Sequence, residues 1–128
     1  MRRILIIDDE DDIREVAALS LEAVAGWDIL TASSGAEGIR IAIDSTANGK
    51  LDAILMDVMM PEVDGPTTFG LMQANPAIAG IPVLLLTAKV QGVDQRRFAN
   101  LGVSAVLFKP FDPLTLSRQI SEALGWKD

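Results

Sequence analysis

The stretch "RILIIDDEDDIREVAALSLEAVAG", residues 3–26, carries the reading that decides the fold. An unbroken apolar run at 4–7 is followed at once by five acids, Asp8, Asp9, Glu10, Asp11 and Asp12, and then by a segment of helical periodicity. A run without polar alternation is what a strand covered on both faces of a parallel sheet requires. In the segment after the acids, Ile13, Val16, Ala17, Leu19 or Ser20, Leu21 and Val24 fall mostly on one helical face, and Gly26 is a natural C-terminal stop. The acids between pose a question of their own. Crowded like charges repel, so either the loop is simply solvated and starts a helix, with Asp11 or Asp12 as N-cap, or a cation belongs there.

The same pattern recurs along the chain. Apolar runs at 53–56, 83–86 and 105–108 resemble the first, and 28–32 ("DILTA") is a weaker fifth strand. Helical segments separate them. Ser34 with Glu37 marks an N-terminus and Asn48-Gly49 a stop; shorter helices are expected at 66–74 and 91–100. A last helix has Asp112 as N-cap, Pro113 at its first position and Gly125 beyond its end. Five β-then-α units predict an α/β, doubly wound five-stranded parallel sheet with right-handed crossovers. The 128 residues are expected to form a single domain, with no output domain attached.

Composition narrows the chemistry. Cys and His are both absent, which removes thiol catalysis, zinc-thiolate sites and the usual general base. The net charge of −7 opposes phosphate backbones, so no direct nucleic-acid partner is expected. No apolar run has membrane-spanning length and the N-terminal run is too short for a signal peptide, so membrane insertion is not expected and a cytoplasmic location is.

Ligands of open α/β sheets bind outside the carboxyl ends of the strands. Asp8 and Asp9 follow the first run, Asp57 the third, Thr87 the fourth and Lys109 the fifth. Taken singly, each has a plainer reading: a loop acid, turn chemistry, a strand-end threonine, a solvated lysine before Pro110. Together, in a parallel sheet, they meet at one edge. Three carboxylates select a hard divalent cation such as Mg2+. A lysine and a hydroxyl suit phosphoryl oxygens. An aspartate can itself be the nucleophile. The cluster therefore reads as metal-assisted phosphoryl transfer to an Asp.

At these residues the chain resembles the response-regulator receiver domain of two-component signalling, in its chemotaxis-regulator-like form. "IIDDE", "LMDVMMPEVDG", "LLLTA" and "LFKPF" stand in that family's order and spacing across essentially the whole chain. The resemblance implies a flavodoxin-like (βα)5 fold with strand order 2-1-3-4-5. It implies that Asp57 accepts a phosphoryl group from a phosphohistidine on a sensor histidine kinase or phosphotransfer protein. Asp9, Asp57 and the main-chain carbonyl of Met59 would hold Mg2+, with Asp8 acting through water and Glu10 bordering the site. Lys109 would pair with Asp57 and then with the phosphoryl group, while Thr87 would move toward it as the switch. Ala88 would leave room for the phosphate, and Pro110 would follow a cis peptide bond. The protein would catalyse only its own phosphorylation and dephosphorylation, act on a downstream effector protein, and exist as a monomer or weak dimer.

One position departs from the family. Receivers carry an aromatic residue three positions before the lysine, where this chain has Val106, which has no ring to turn inward. Phe108 lies on the same face, nearer the site, and is not a simple replacement. A pseudo-receiver acting without phosphate is the alternative reading. A Mg2+-dependent change in Trp fluorescence, or in NMR shifts with beryllofluoride, separates the two. Three enzyme or cofactor classes fit poorly: a haloacid-dehalogenase-like phosphatase wants an Asp where Met59 stands, and P-loop or flavodoxin-type sites want a Gly- or hydroxyl-rich loop where the acids are. Met59 over the phosphoryl group would lengthen the life of the acyl phosphate; Lys89 would also act on it, in a direction the sequence leaves open.

Overall fold

A computed structural model describes residues 1–88, 98 and 100–127. Five strands, β1 (Arg3–Ile7), β2 (Asp28–Ala32), β3 (Ala53–Asp57), β4 (Val83–Ala88) and β5 (Ala105–Lys109), pair in parallel in the order β2-β1-β3-β4-β5. The described helices are α1 (Asp11–Ala25), α2 (Gly35–Asn48), α3 (Gly65–Gln73) and α4 (Leu116–Leu124). The architecture is the expected flavodoxin-like one. Of the helix expected at 91–100 only residues 98 and 100 are described, and Lys89 lies outside the described residues.

The apolar runs serve two cores. Alternate residues Leu5, Ile7, Ile54, Met56 and Leu85 pack with Ala42 of α2 and with Phe69 and Met72 of α3. Their neighbours Ile4, Ile6, Ala53, Leu55, Leu84 and Leu86 pack with Ala17 and Leu21 of α1 and with Leu116 and Ile120 of α4. Every position of β1 beyond Arg3 is therefore buried, which is why the sequence shows no alternation there. β2 is an edge strand and mostly half-buried, which accounts for its weaker, partly polar signal.

Helix starts differ from expectation in two places. Glu10, not Asp11 or Asp12, is the N-cap residue of α1, and its side chain makes no capping bond. Asp11 and Asp12 instead occupy the first turn, where their charge favours the helix dipole. At the other end, Asp112 and Pro113 precede α4: Asp112 closes a turn by accepting from the Leu114 amide at 2.9 Å, and Thr115 becomes the N-cap. Local side-chain bonding outcompeted the first helical turn there. Ser34 does cap α2, accepting from the Glu37 amide, while Glu37 reaches back to the Ser33 amide. On α1 the buried face holds Ala17, Ser20 and Leu21, and Val16, Leu19 and Val24 are exposed.

The edge of the sheet remote from the acids is closed by aromatic residues. Trp27 and Trp126 meet edge to face with ring centroids 5.6 Å apart, and the Arg2 guanidinium lies 4.1 Å over the Trp126 ring. No described helix is long and apolar enough to cross a membrane.

Candidate functional site

Strand register assembles the site. Ile7 pairs with Met56 and Asp57 with Leu86, so the residues that follow or end β1, β3 and β4 stand at one sheet edge. Thr87 and Ala88 pair with Phe108 and Lys109, which brings β5 to the same edge. The structure thus brings together Asp8, Asp9, Asp57, Thr87 and Lys109, as read from the run ends, with Ala88, which the resemblance added, beside them. Asp57 and Lys109 prove to be the last residues of their strands, so the ladder itself aims them.

Two of the three carboxylates are buried and Asp9 is half-buried. Asp8 is 1% exposed, Asp57 3% and Thr87 3%. Carboxylate oxygens of Asp8, Asp9 and Asp57 all lie within 4.8 Å of one another. Lys109 Nζ lies 3.2 Å from both Asp8 Oδ2 and Asp57 Oδ1 and 3.5 Å from Glu10 Oε1, so Glu10 does border the site. Burial pushes the Asp57 carboxyl up to about 6, and the Asp8 charge adds to the rise; Lys109 opposes both without cancelling them. Burial pulls the Lys109 ammonium down, but the Asp57 and Asp8 carboxylates outweigh it and hold the group above the ordinary lysine value.

These residues fit a divalent cation. Three carboxylates, two of them buried, and one ammonium leave an excess of two negative charges at the site. Asp8 Oδ2 and Asp9 Oδ1 are buried with no aligned hydrogen bond, the Lys109 contact to Asp8 being ionic rather than directional. Oxygen-only donors of this kind suit Mg2+.

Two supporting residues were not assigned a role from the sequence. Gly65 opens α3 against the backbone of the Asp57 loop, its amide donating to Val58 O at 2.9 Å. A Cβ there would stand 2.5 Å from Asp57 O and 3.0 Å from Val58 Cα, and neither backbone atom can swing away. Gly65→Ala is expected to cost about 1–3 kcal/mol in urea unfolding, and to displace Asp57, seen as loss of metal affinity. The other is Arg14, whose Nη1 donates to Asp8 O at 2.7 Å. Its i, i+3 spacing from Asp11 was the only local signal available.

Around the site, Pro110 follows a cis peptide bond, as expected. Met59 is 76% exposed, two residues past Asp57. Val106 packs against the α2/α3 side of the sheet, and Phe108 stands on the same face directly opposite Thr87 in the β4–β5 register.

Comparison with known proteins agrees with this geometry. Residues 4–121 match the response regulator receiver domain family. The DNA-binding dual master transcriptional regulator RpaA of Synechocystis sp. is 38% identical over 112 residues, covering 88% of this chain and 44% of that protein. The alkaline phosphatase synthesis transcriptional regulatory protein PhoP of Bacillus subtilis is 32% identical over 123 residues, covering 96% and 48%. The chain thus spans less than half the length of these curated relatives. Among solved structures, the Vibrio cholerae chemotaxis protein CheY4 superposes with a TM-score of 0.84 at 27% identity, covering 96% of this chain and 98% of that one. The chain belongs to the response regulator receiver domain family of two-component signalling.

Proposed function

We propose that this chain is a phosphoryl-accepting switch, with Asp57 as the acceptor and a phosphohistidine of a sensor kinase or phosphotransfer protein as the donor. The observation that carries this reading is the pairing of one ammonium with two buried strand-end carboxylates at 3.2 Å, beside a buried Asp9 oxygen without a hydrogen bond. In the transfer, an Asp57 carboxylate oxygen forms a bond to phosphorus as the phosphorus–nitrogen bond of the donor breaks, its electron pair returning to the imidazole. Asp8, Asp9, Asp57 and the Met59 carbonyl are the groups that would hold Mg2+. When bound, the ion supplies charge neutralisation for the phosphoryl oxygens. Lys109 stays protonated through neutral pH and follows the charge from the Asp57 carboxylate to the phosphoryl group. Ala88 presents only a methyl group beside it. Thr87 is placed to donate its hydroxyl to a phosphoryl oxygen and so to carry the state of the site to the outer surface.

The chain would act on itself alone rather than on a separate substrate, and its output would be a change in a protein-binding surface read by an effector. The RpaA and PhoP relatives are named as transcriptional regulators, RpaA as DNA-binding; the charge of −7 argues that residues 1–128 contribute a protein-facing switch rather than the DNA contact. Mg2+ with beryllofluoride, a phosphoryl mimic, should shift amide NMR signals around Asp57, Thr87 and Lys109 and across one contiguous outer face. Unchanged spectra would refute the switch. That result would leave the pseudo-receiver reading, which Val106 favours because no ring stands at the position from which receivers couple to the threonine.

The exposed Met59 side chain is expected to shield the acyl phosphate from water. Met59→Asn should shorten its lifetime several-fold in Mg2+ buffer, followed by loss of radiolabel.

A further inference from the structure

Arg14 lies within the first turns of α1 and takes no part in the reaction as drawn above. Its side chain is nonetheless only 17% exposed, unusual for an arginine on an outer helix. Nη1 donates to the main-chain carbonyl of Asp8 at 2.7 Å, and Nη2 to the carboxylate of Asp11, which is itself 77% exposed. The Arg14 amide donates to Glu10 O at 3.0 Å, and Asp8 Oδ1 accepts from the Glu10 amide at 2.9 Å. One residue therefore brackets the acid run, holding residue 8 by its guanidinium and residue 10 by its amide. Two buried oxygens of the run have no hydrogen bond: Asp8 Oδ2, which meets only the Lys109 ammonium at 3.2 Å, and Asp9 Oδ1; both residues belong to the carboxylate cluster shared with Asp57.

We propose that Arg14 is a positioning residue for the divalent-cation site: its fork fixes the turn between β1 and α1 so that the Asp8 and Asp9 carboxylates stay clustered with Asp57. The inference rests on the cation-binding reading given above. A planar guanidinium that reaches two acceptors at once suits this task, and a lysine cannot reproduce it. The competing role is that of a counter-charge, relieving repulsion among the acids. The two roles predict opposite signs. A counter-charge opposes an incoming cation, so its removal tightens metal binding; a positioning group preorganises the ligands, so its removal weakens it. The geometry favours positioning, because the 2.7 Å contact is to a carbonyl and the paired carboxylate, Asp11, is outside the cluster.

Calorimetric titration of the folded full chain with MgCl2, at a temperature well below each variant's melting point, tests this. Groups that orient metal ligands are worth roughly tenfold to a hundredfold in metal affinity. Arg14→Ala should bind Mg2+ about tenfold more weakly than wild type. Arg14→Lys, which keeps the charge and loses the fork, should also bind more weakly, and it carries the test if the alanine variant does not fold. Asp11→Ala, which keeps the bond to Asp8 O but removes the outer anchor of the fork, should lose clearly less affinity than Arg14→Ala. Unchanged or tighter binding by the Arg14 variants, or a loss in Asp11→Ala equal to that in Arg14→Ala, would overturn the proposal. A wild type that takes up no Mg2+ would instead remove the cation site itself, and with it the reading on which this one rests.

Discussion

Replacing Asp57 with Asn is expected to abolish phosphoryl incorporation and at the same time to raise the melting temperature of the metal-free protein at neutral pH. The first effect follows from loss of the nucleophilic oxygen. The second follows from burial. The folded-state value of Asp57 is about 6, against 3.8 for the free group, so the folded protein binds this proton more tightly than the unfolded chain does. A raised value contributes stability that is fully present below pH 3.8 and is lost as the pH rises through about 6. At pH 7.5 the buried charge is therefore a cost, with a ceiling of about 3 kcal/mol at roughly 1.4 kcal/mol per pH unit. Asparagine has no such charge. The variant should melt several degrees above wild type in EDTA at pH 7.5, and the gap should narrow at pH 5. Mg2+ should raise the wild-type melting temperature more than that of the variant. A variant less stable than wild type at pH 7.5 would contradict the burial argument.

Lys109→Met should have the opposite sign and a comparable size. The ammonium is held by Asp8 and Asp57, both buried, and removing it leaves two carboxylates facing each other without a cation. Breaking a buried pair by deleting one partner costs about 3–5 kcal/mol, because the remaining charge is stranded. Protonation of Asp57 relieves part of this, so the loss should be largest above pH 7 and smaller at pH 5. Combining Lys109→Met with Asp57→Asn should recover part of the stability, since the two side chains share one electrostatic network. A double variant that regains no more than Asp57→Asn gains by itself in urea unfolding would show that Lys109 stabilises the fold by some other route. Phosphorylation by a small-molecule donor should slow markedly in Lys109→Met even where Mg2+ restores the fold.

The fold was legible because strands buried on both faces leave long apolar runs, and β1, β3 and β4 are such strands. The site was legible for a related reason: a charge at the end of such a run has one place to go. Asp8, Asp57 and Lys109 could therefore be grouped before any distance was known. Element ends were less legible. Asp57 and Lys109 are polar yet pair within their ladders, so the strands run one residue past the apolar stretch. Asp112 looked like a helix cap because the side-chain bonding that makes a cap also makes a turn. Arg14 went unnoticed, and Gly65, though part of the quoted signature, was given no role, because both act through approaches between segments, 2.7 Å to Asp8 O and 2.5 Å from a would-be Cβ to Asp57 O. No periodicity encodes such distances.

The tryptophan pair bears on how this protein is to be watched. Trp27 is aligned with Arg2 at the opening edge of the sheet, whereas Asp8 and Asp57 stand at the closing edge, roughly 20 Å away along the strands. Cation or phosphoryl-mimic binding has no direct way to quench indoles at that range, so an intrinsic-fluorescence titration, the simplest assay the sequence suggested, should stay nearly silent. The same signal is well suited to denaturation. Trp27 and Trp126 follow the C-terminal ends of two neighbouring helices, α1 and α4, and touch only when both are docked. Their emission is thus a built-in gauge of global unfolding, while occupancy of the site has to be read by NMR, calorimetry or a dye placed near Met59.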